Sequence, residues 1–193
     1  MTVEALVSKF VETINSGSRE LLPAEQVPQA LRRRLVDQGS VDWMIVPVPT
    51  NPWVKEFEVD LPAPFPPSFR TLLEKYAYPA FEFHGVQMYA NTNEGRYDDF
   101  RESALADTNL MQPLLVAGFM PFARLDQANY DPLCFDTRSS ARDGEWSIVR
   151  ADHEEAMIHQ RAVVAPFAES FGNLIVEHIT SVGGAMLNRA ASE

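Results

Sequence analysis

Apolar side chains at Val3, Leu6, Val7, Phe10, Val11 and Ile14 recur at the three- and four-residue spacing of one helical face. Thr2 stands where such a helix is capped and Gly17 where it ends. The spacing predicts a second, shorter helix from about Ala24 to Asp37, with Val27, Leu31 and Leu35 turned inward. The period then changes. Residues 41–48 are β-branched and aromatic enough for a strand, and residues 56–61 alternate strictly, Glu56, Glu58 and Asp60 against Phe57, Val59 and Leu61. With the turn signal Pro49-Thr50-Asn51-Pro52 between them, they predict a hairpin or a pair of neighbouring strands.

Pro62, Pro64, Pro66 and Pro67 open the next helix, because a first-turn proline gives up an N–H that has no acceptor there. Phe69, Leu72, Leu73 and Tyr76 form its apolar stripe, and Pro79 marks its end. Phe81 and Phe83 alternate with Glu82 and His84, Gly85 turns the chain, and residues 86–89 make a further short strand. Residues 91–108 are polar and acidic and predict a loop with a helical turn or two; Leu110, Met111, Leu114 and Leu115 predict a helix despite Pro113. Strand-like runs follow at 119–125, 133–135 and 146–149, and the closing helix shows Phe167, Phe171, Leu174, Ile175, Ile179 and Val182 on one face. These elements predict an α+β single domain, a mainly antiparallel β-sheet flanked by helices and covered on one side. Its parts are N-terminal helices over 1–40, a sheet-and-helix core over 41–182 and a frayed tail over 183–193, with strands from about 41 to 150 in one sheet.

Composition narrows the functional classes. An apolar fraction of 46% over 193 residues supports a core that needs no staples. One cysteine, Cys134, rules out an intramolecular disulfide and reads as a small core residue. No apolar run is long enough for a membrane span, and Glu4, Lys9 and Glu12 interrupt any leader at the N-terminus, so the expected compartment is cytoplasmic. Sixteen basic and twenty-seven acidic side chains give a net charge of −11, which repels nucleic acid and anionic lipid and favours basic partners, or simply keeps the chain soluble. The only basic run, Arg32 to Arg34, falls in the second predicted helix.

Catalytic signatures are weak. His153-Glu154 with His159 does not match a zinc helix, whose second histidine would stand at Met157, and Asp152 with Glu155 suits a helix cap instead. No nucleophile elbow, phosphate loop or dinucleotide fingerprint occurs, so neither metal nor cofactor is expected and the chain is not expected to be an enzyme. His178, on the apolar side of the last helix, reads as a packed core histidine, and Ser170 as a helix start.

Phe65-Pro66-Pro67-Ser68-Phe69-Arg70-Thr71-Leu72-Leu73-Glu74-Lys75-Tyr76 resembles the signature of the SUKH superfamily, which includes a fungal cell-wall-synthesis regulator and many bacterial toxin-immunity proteins. Further matches follow in order: residues 118–123, Asp131-Pro132-Leu133-Cys134-Phe135-Asp136, Trp146-Ser147-Ile148-Val149 with Asp152-His153-Glu154, and residues 168–175. Ala77-Tyr78-Pro79-Ala80 stands where members commonly carry an Asn-Gly-Gly turn, and residues 126–129 replace a glycine-rich turn. The resemblance implies a non-catalytic binding protein that neutralises a toxin by occupying it, a basic toxin domain being a partner that suits the charge; the alternatives are a housekeeping regulator or scaffold and, in another class, a hydrolase-like enzyme. The expected partner-binding residues are Glu94, Tyr97, Asp98, Asp99 and Phe100 in the acidic segment, where rings sit among charges, together with strand-terminal Asp136, which is also read as a turn cap paired with Arg138.

Overall fold

Helix α1 (Val3–Ser16) forms where the apolar stripe places it: Thr2 Oγ1 accepts from Ala5 N at 3.2 Å, Val7, Phe10, Val11 and Ile14 are buried, and Gly17 N closes the end on Thr13 O. The computed structural model describes residues 1–17, 19–36, 39–49, 53–92, 98–125, 130–139 and 143–190, the side chains of 98, 99 and 183–190 excepted.

The predicted helix over 24–37 is instead two 3₁₀ turns followed by a strand. β1 (Leu22–Pro23), β2 (Arg32–Leu35) and β3 (Ser40–Trp43) make a small antiparallel sheet in the order β1-β3-β2. Pro23 and Pro28 stand at the starts of the two turns and remove the donors a continuous helix needs. Arg32 ties back to the carbonyls of Val27 and Ala24, so the arginine run lies on an exposed edge strand. The strand expected over 41–48 divides into β3 and β4 (Val46–Pro47), because Ile45 exchanges both of its backbone hydrogen bonds, each 2.8 Å, with the side-chain amide of Asn15.

Residues 56–61 are no strand. Helix α2 (Trp53–Glu58) buries Trp53, Val54 and Phe57 and leaves Val59 80% exposed, so the apparent alternation runs across a helix end and the turn that follows it. Helix α3 (Pro67–Lys75) begins at its proline as expected, and β5 (Tyr76–Ala77) pairs with β4 in a two-stranded sheet. Just beyond β5, Tyr78 forms a reciprocal backbone bridge to Asn91, at 2.7 and 2.9 Å.

The main sheet holds β6 (Phe81–Phe83), β7 (Val86–Met88), β8 (Phe119–Leu125), β9 (Pro132–Asp136), β10 (Ser147–Ala151) and β11 (Val164–Ala168), in the order β11-β10-β9-β8-β7-β6. Every neighbouring pair is antiparallel, so the fold is α+β. The earlier strands form two separate small sheets rather than one continuous sheet from 41 to 150, and β11 carries Phe167, which the sequence placed on the closing helix. The β6–β7 turn uses positive φ at His84 (50°) and Gly85 (71°), the pair of left-handed residues that a tight two-residue hairpin requires.

Helices cover both faces of this sheet, not one. On the first face Met120, Phe122, Leu133, Phe135 and Ile148 pack into the core shared with α1, α3 and the closing helix α7 (Phe171–Ala190). On the second face Phe119, Cys134, Val149 and Ala151 pack beneath α5 (Thr108–Val116) and α6 (His153–His159). Helix α4 (Asp98–Leu105) precedes α5 in the chain and contacts it. Pro113 lies inside α5 and offers no N–H to the Asn109 carbonyl; Gln160 Nε2, at the end of α6, donates to that carbonyl at 3.2 Å instead.

Candidate functional site

The second sheet face is covered over β8 to β10 and open toward β7, where a cleft of about 520 Å³ remains. Its floor is a cross-strand pair. Gln87 on β7 and Arg124 on β8 stand opposite each other in register, and Arg124 Nε donates to Gln87 Oε1 at 2.7 Å. One wall comes from Ser103, Asp107, Leu110 and Met111, the other from Tyr130, His153 and Met157, with Met88, Tyr89 and Ala90 closing the strand end. Its exposed lining is mostly apolar by area, with Gln87, Ser103, Asp107, Arg124 and His153 as polar groups among the apolar ones.

Local folding rules place each wall. Asp107 caps α5, its Oδ1 accepting from Leu110 N at 3.2 Å, which sets Leu110 and Met111 toward the sheet. Asp152 caps α6 by accepting from Glu155 N at 3.0 Å, as its sequence position predicted. Asp131, 8% exposed, holds the start of α6 from the position just before β9: its Oδ1 accepts from His153 N at 3.1 Å and lies 2.7 Å from His153 Nδ1. Its Oδ2 is 3.6 Å from Arg150 Nε. With Nδ1 turned to Asp131, His153 Nε2 is the ring nitrogen left free of that pair. Tyr89 is 8% exposed, and burial, with the buried Cys134 thiol nearby, pushes its hydroxyl well above the ordinary tyrosine range. Arg124, which lines the same cleft, acts in the opposite sense on this hydroxyl.

Of the residues expected to bind a partner, Phe100 and Asp136 have described side chains, and each is engaged within the chain. Glu94 and Tyr97 lie outside the described residues, and Asp98 and Asp99 are described only as backbone, at the start of α4. Phe100 is a correction: it is 1% exposed and packs edge-on against Phe57 and Phe65, at 5.9 Å each, and beside Trp53, Phe69 and Tyr89. An apolar ring at that position of α4 faces the aromatic core, so it anchors the helix to the domain and is not available to a partner. Asp136 is engaged within the chain. Its carboxylate accepts from Arg138 Nε at 2.9 Å, Nη2 at 3.0 Å and the backbone N–H at 3.1 Å. These bonds hold it below the usual carboxylate range, and Arg138 lies over the Phe119 ring at 4.1 Å.

The cleft was missed because its parts come from five elements, β7, α4, α5, β8 and α6. One signal was readable: Arg124 follows five buried strand residues, a cation at a position where the chain otherwise places core. Among the described residues no group of three histidine, cysteine or acidic side chains is placed to hold a metal ion, and no helix is long and apolar enough to cross a membrane. No protein-family model matches this sequence, and no curated protein matches it either.

Proposed function

We propose that this chain is a non-catalytic protein-binding domain of SUKH type, whose partner is a basic toxin domain that it neutralises by direct occupation. One observation carries the reading. The segments that resemble the superfamily meet in a single aromatic cluster: Phe69 lies 5.3 Å from Phe122, 5.2 Å from Phe135 and 5.2 Å from Phe171, and Phe122 stacks on Phe135 at 4.1 Å. All four rings are fully buried. Signature residues spent on packing leave recognition to the exterior, and there the net charge of −11 favours a cationic partner by steering its approach. Exposed Glu102 and Asp107, with Asp98 and Asp99 on the same α4–α5 segment, are the acids we assign to that encounter.

The test is affinity capture from the native host, with mass spectrometry, using the wild-type chain and a variant carrying Asp98→Lys, Asp99→Lys and Glu102→Lys. A basic protein retained by the wild type, released by salt and lost in the variant supports the proposal. If the retained protein is a housekeeping factor with no toxic activity, the regulator reading replaces it. Equal retention of every protein by the wild type and the variant would remove the acidic segment from recognition.

A hydrolase reading has one observation in its favour, the Asp131–His153 pair beside the cleft, which resembles an oriented general base. The same carboxylate accepts from His153 N, however, and so serves as a strut for α6. Hydrolysis of a panel of p-nitrophenyl esters that disappears in His153→Gln would favour the enzyme.

A further inference from the structure

We propose that the cleft between α5, α6 and the open half of the sheet binds a small organic acid, a monocarboxylate with an apolar body seated against Met111, Met157 and Leu110. The site meets the acidic surface assigned to a protein partner at Asp107 on its rim; the two tests change different residues, so either proposal can fail alone.

The floor carries an unused pair of donors. Arg124 gives its Nε to the neutral Gln87 amide, and among the described residues no carboxylate lies within ion-pair distance of its guanidinium. Its two Nη groups therefore keep the end-on fork that fits the two oxygens of a carboxylate. Tyr89 supplies the second observation. More than nine-tenths of it is buried, its hydroxyl forms no hydrogen bond with the described residues, and it lines the same cleft as Arg124. Open to the cleft rather than sealed off, the hydroxyl can donate to an acceptor bound there. A carboxylate on the guanidinium fork would provide that acceptor.

Charge sets the class of anion. Arg124 is the one lysine or arginine in the lining and can pair with a single negative charge; a second charge, as on a phosphate monoester, would have no partner and would face the Asp107 carboxyl on the rim. Size sets the body. A volume of about 520 Å³ falls within the range of small-molecule pockets, and three methionines line it, side chains that reshape around apolar groups.

The experiment uses the full chain labelled with ¹³C at its methionine methyls, with phenylacetate, the neutral phenylacetamide and inorganic phosphate as probes. Phenylacetate should shift the Met111 and Met157 signals saturably, leave the Met44 signal in place, and bind roughly ten-fold more tightly than the amide, the worth of a charge-assisted hydrogen bond. Arg124→Gln should remove that ten-fold preference, and Tyr89→Phe should weaken phenylacetate a few-fold without changing the amide. The comparison of acid and amide on the wild type stands even if a variant does not fold. Equal affinity for acid and amide, an unchanged preference in folded Arg124→Gln, tighter binding of phosphate than of phenylacetate, or no saturable shift at about 20 mM phenylacetate, a concentration that would reveal even millimolar affinity, would each overturn the proposal.

Discussion

Glu145→Ala should destabilise the domain by about 2–4 kcal/mol, through a contact that neither residue's sequence neighbourhood reveals. Helix α3 starts at Pro67 with no side-chain cap of its own. Its missing cap is supplied from far along the chain: Glu145 accepts from Ser68 N at 2.8 Å through one carboxylate oxygen and from Ser68 Oγ at 2.8 Å through the other. Ser68 is 1% exposed. Truncation at 145 strands two buried donors, each costing about 1–3 kcal/mol, and removes a negative charge from a helix N-terminus, worth a further 0.3–1 kcal/mol or so. Water admitted to the half-buried Glu145 site recovers part of this, which places the estimate in the lower half of the sum. The assay is urea unfolding followed by circular dichroism. With a slope of about 2 kcal/mol per molar, the midpoint should fall by about 1–2 M. Glu145→Gln keeps one acceptor and should cost about half as much, while the Ser68→Ala and Glu145→Ala pair should be coupled by about 1 kcal/mol or more. A midpoint shift below about 0.2 M in Glu145→Ala, or additive single effects, would refute the remote cap.

Tyr78 is fully buried with no partner for its hydroxyl among the described residues, so Tyr78→Phe should raise stability by about 1 kcal/mol in thermal unfolding; a loss would mean that the hydroxyl has an acceptor after all. Gln160→Ala should destabilise by about 1 kcal/mol in wild type and by less in Pro113→Ala, where the helix regains its own donor for the Asn109 carbonyl; equal losses in both backgrounds would break that link. His178, half-buried against Phe10 and Phe83 and near His84, is held below the ordinary histidine range by burial and then by the His84 charge. Its neutral form is the one the fold favours, so the stability it contributes is full above the unfolded value near 6.5 and is lost as pH falls through that value toward the folded one. His178→Leu should flatten the decline in urea midpoint below pH 6.5, and an identical acid limb in the variant would reject the assignment.

What the chain disclosed in advance follows from the range of the interactions involved. α1, α3, the α6 cap and the β6–β7 hairpin depend on residues within one or two turns of each other, and all were legible from spacing, prolines and capping side chains. The segments at 24–37, 41–48 and 56–61 were misread because each is too short for its period to decide: Pro23 and Pro28 break the first, Asn15 divides the second at Ile45, and the aromatic cluster around Phe100 holds α2 in the third. Phe100 shows the same limit at the level of a site. A ring among acids looks like an interface anchor until the opposite side of its helix is known to face Phe57, Phe65 and Phe69. The cleft could not have been assembled from spacing, since Gln87, Arg124 and His153 become neighbours only when β7, β8 and α6 are in place.

The lone cysteine carries a practical consequence. Cys134 sits in β9, at the centre of the second face, fully buried, with its thiol pushed far toward the protonated form by burial. Thiol reagents attack the thiolate, so modification has to wait until α5 and α6 lift from the sheet or the domain unfolds. The chain thus contains a built-in clock: the labelling rate of one native atom times the exposure of that sheet face, without any engineered probe. Because the same two helices form the walls of the cleft, a ligand that seats between them and the sheet should slow that clock.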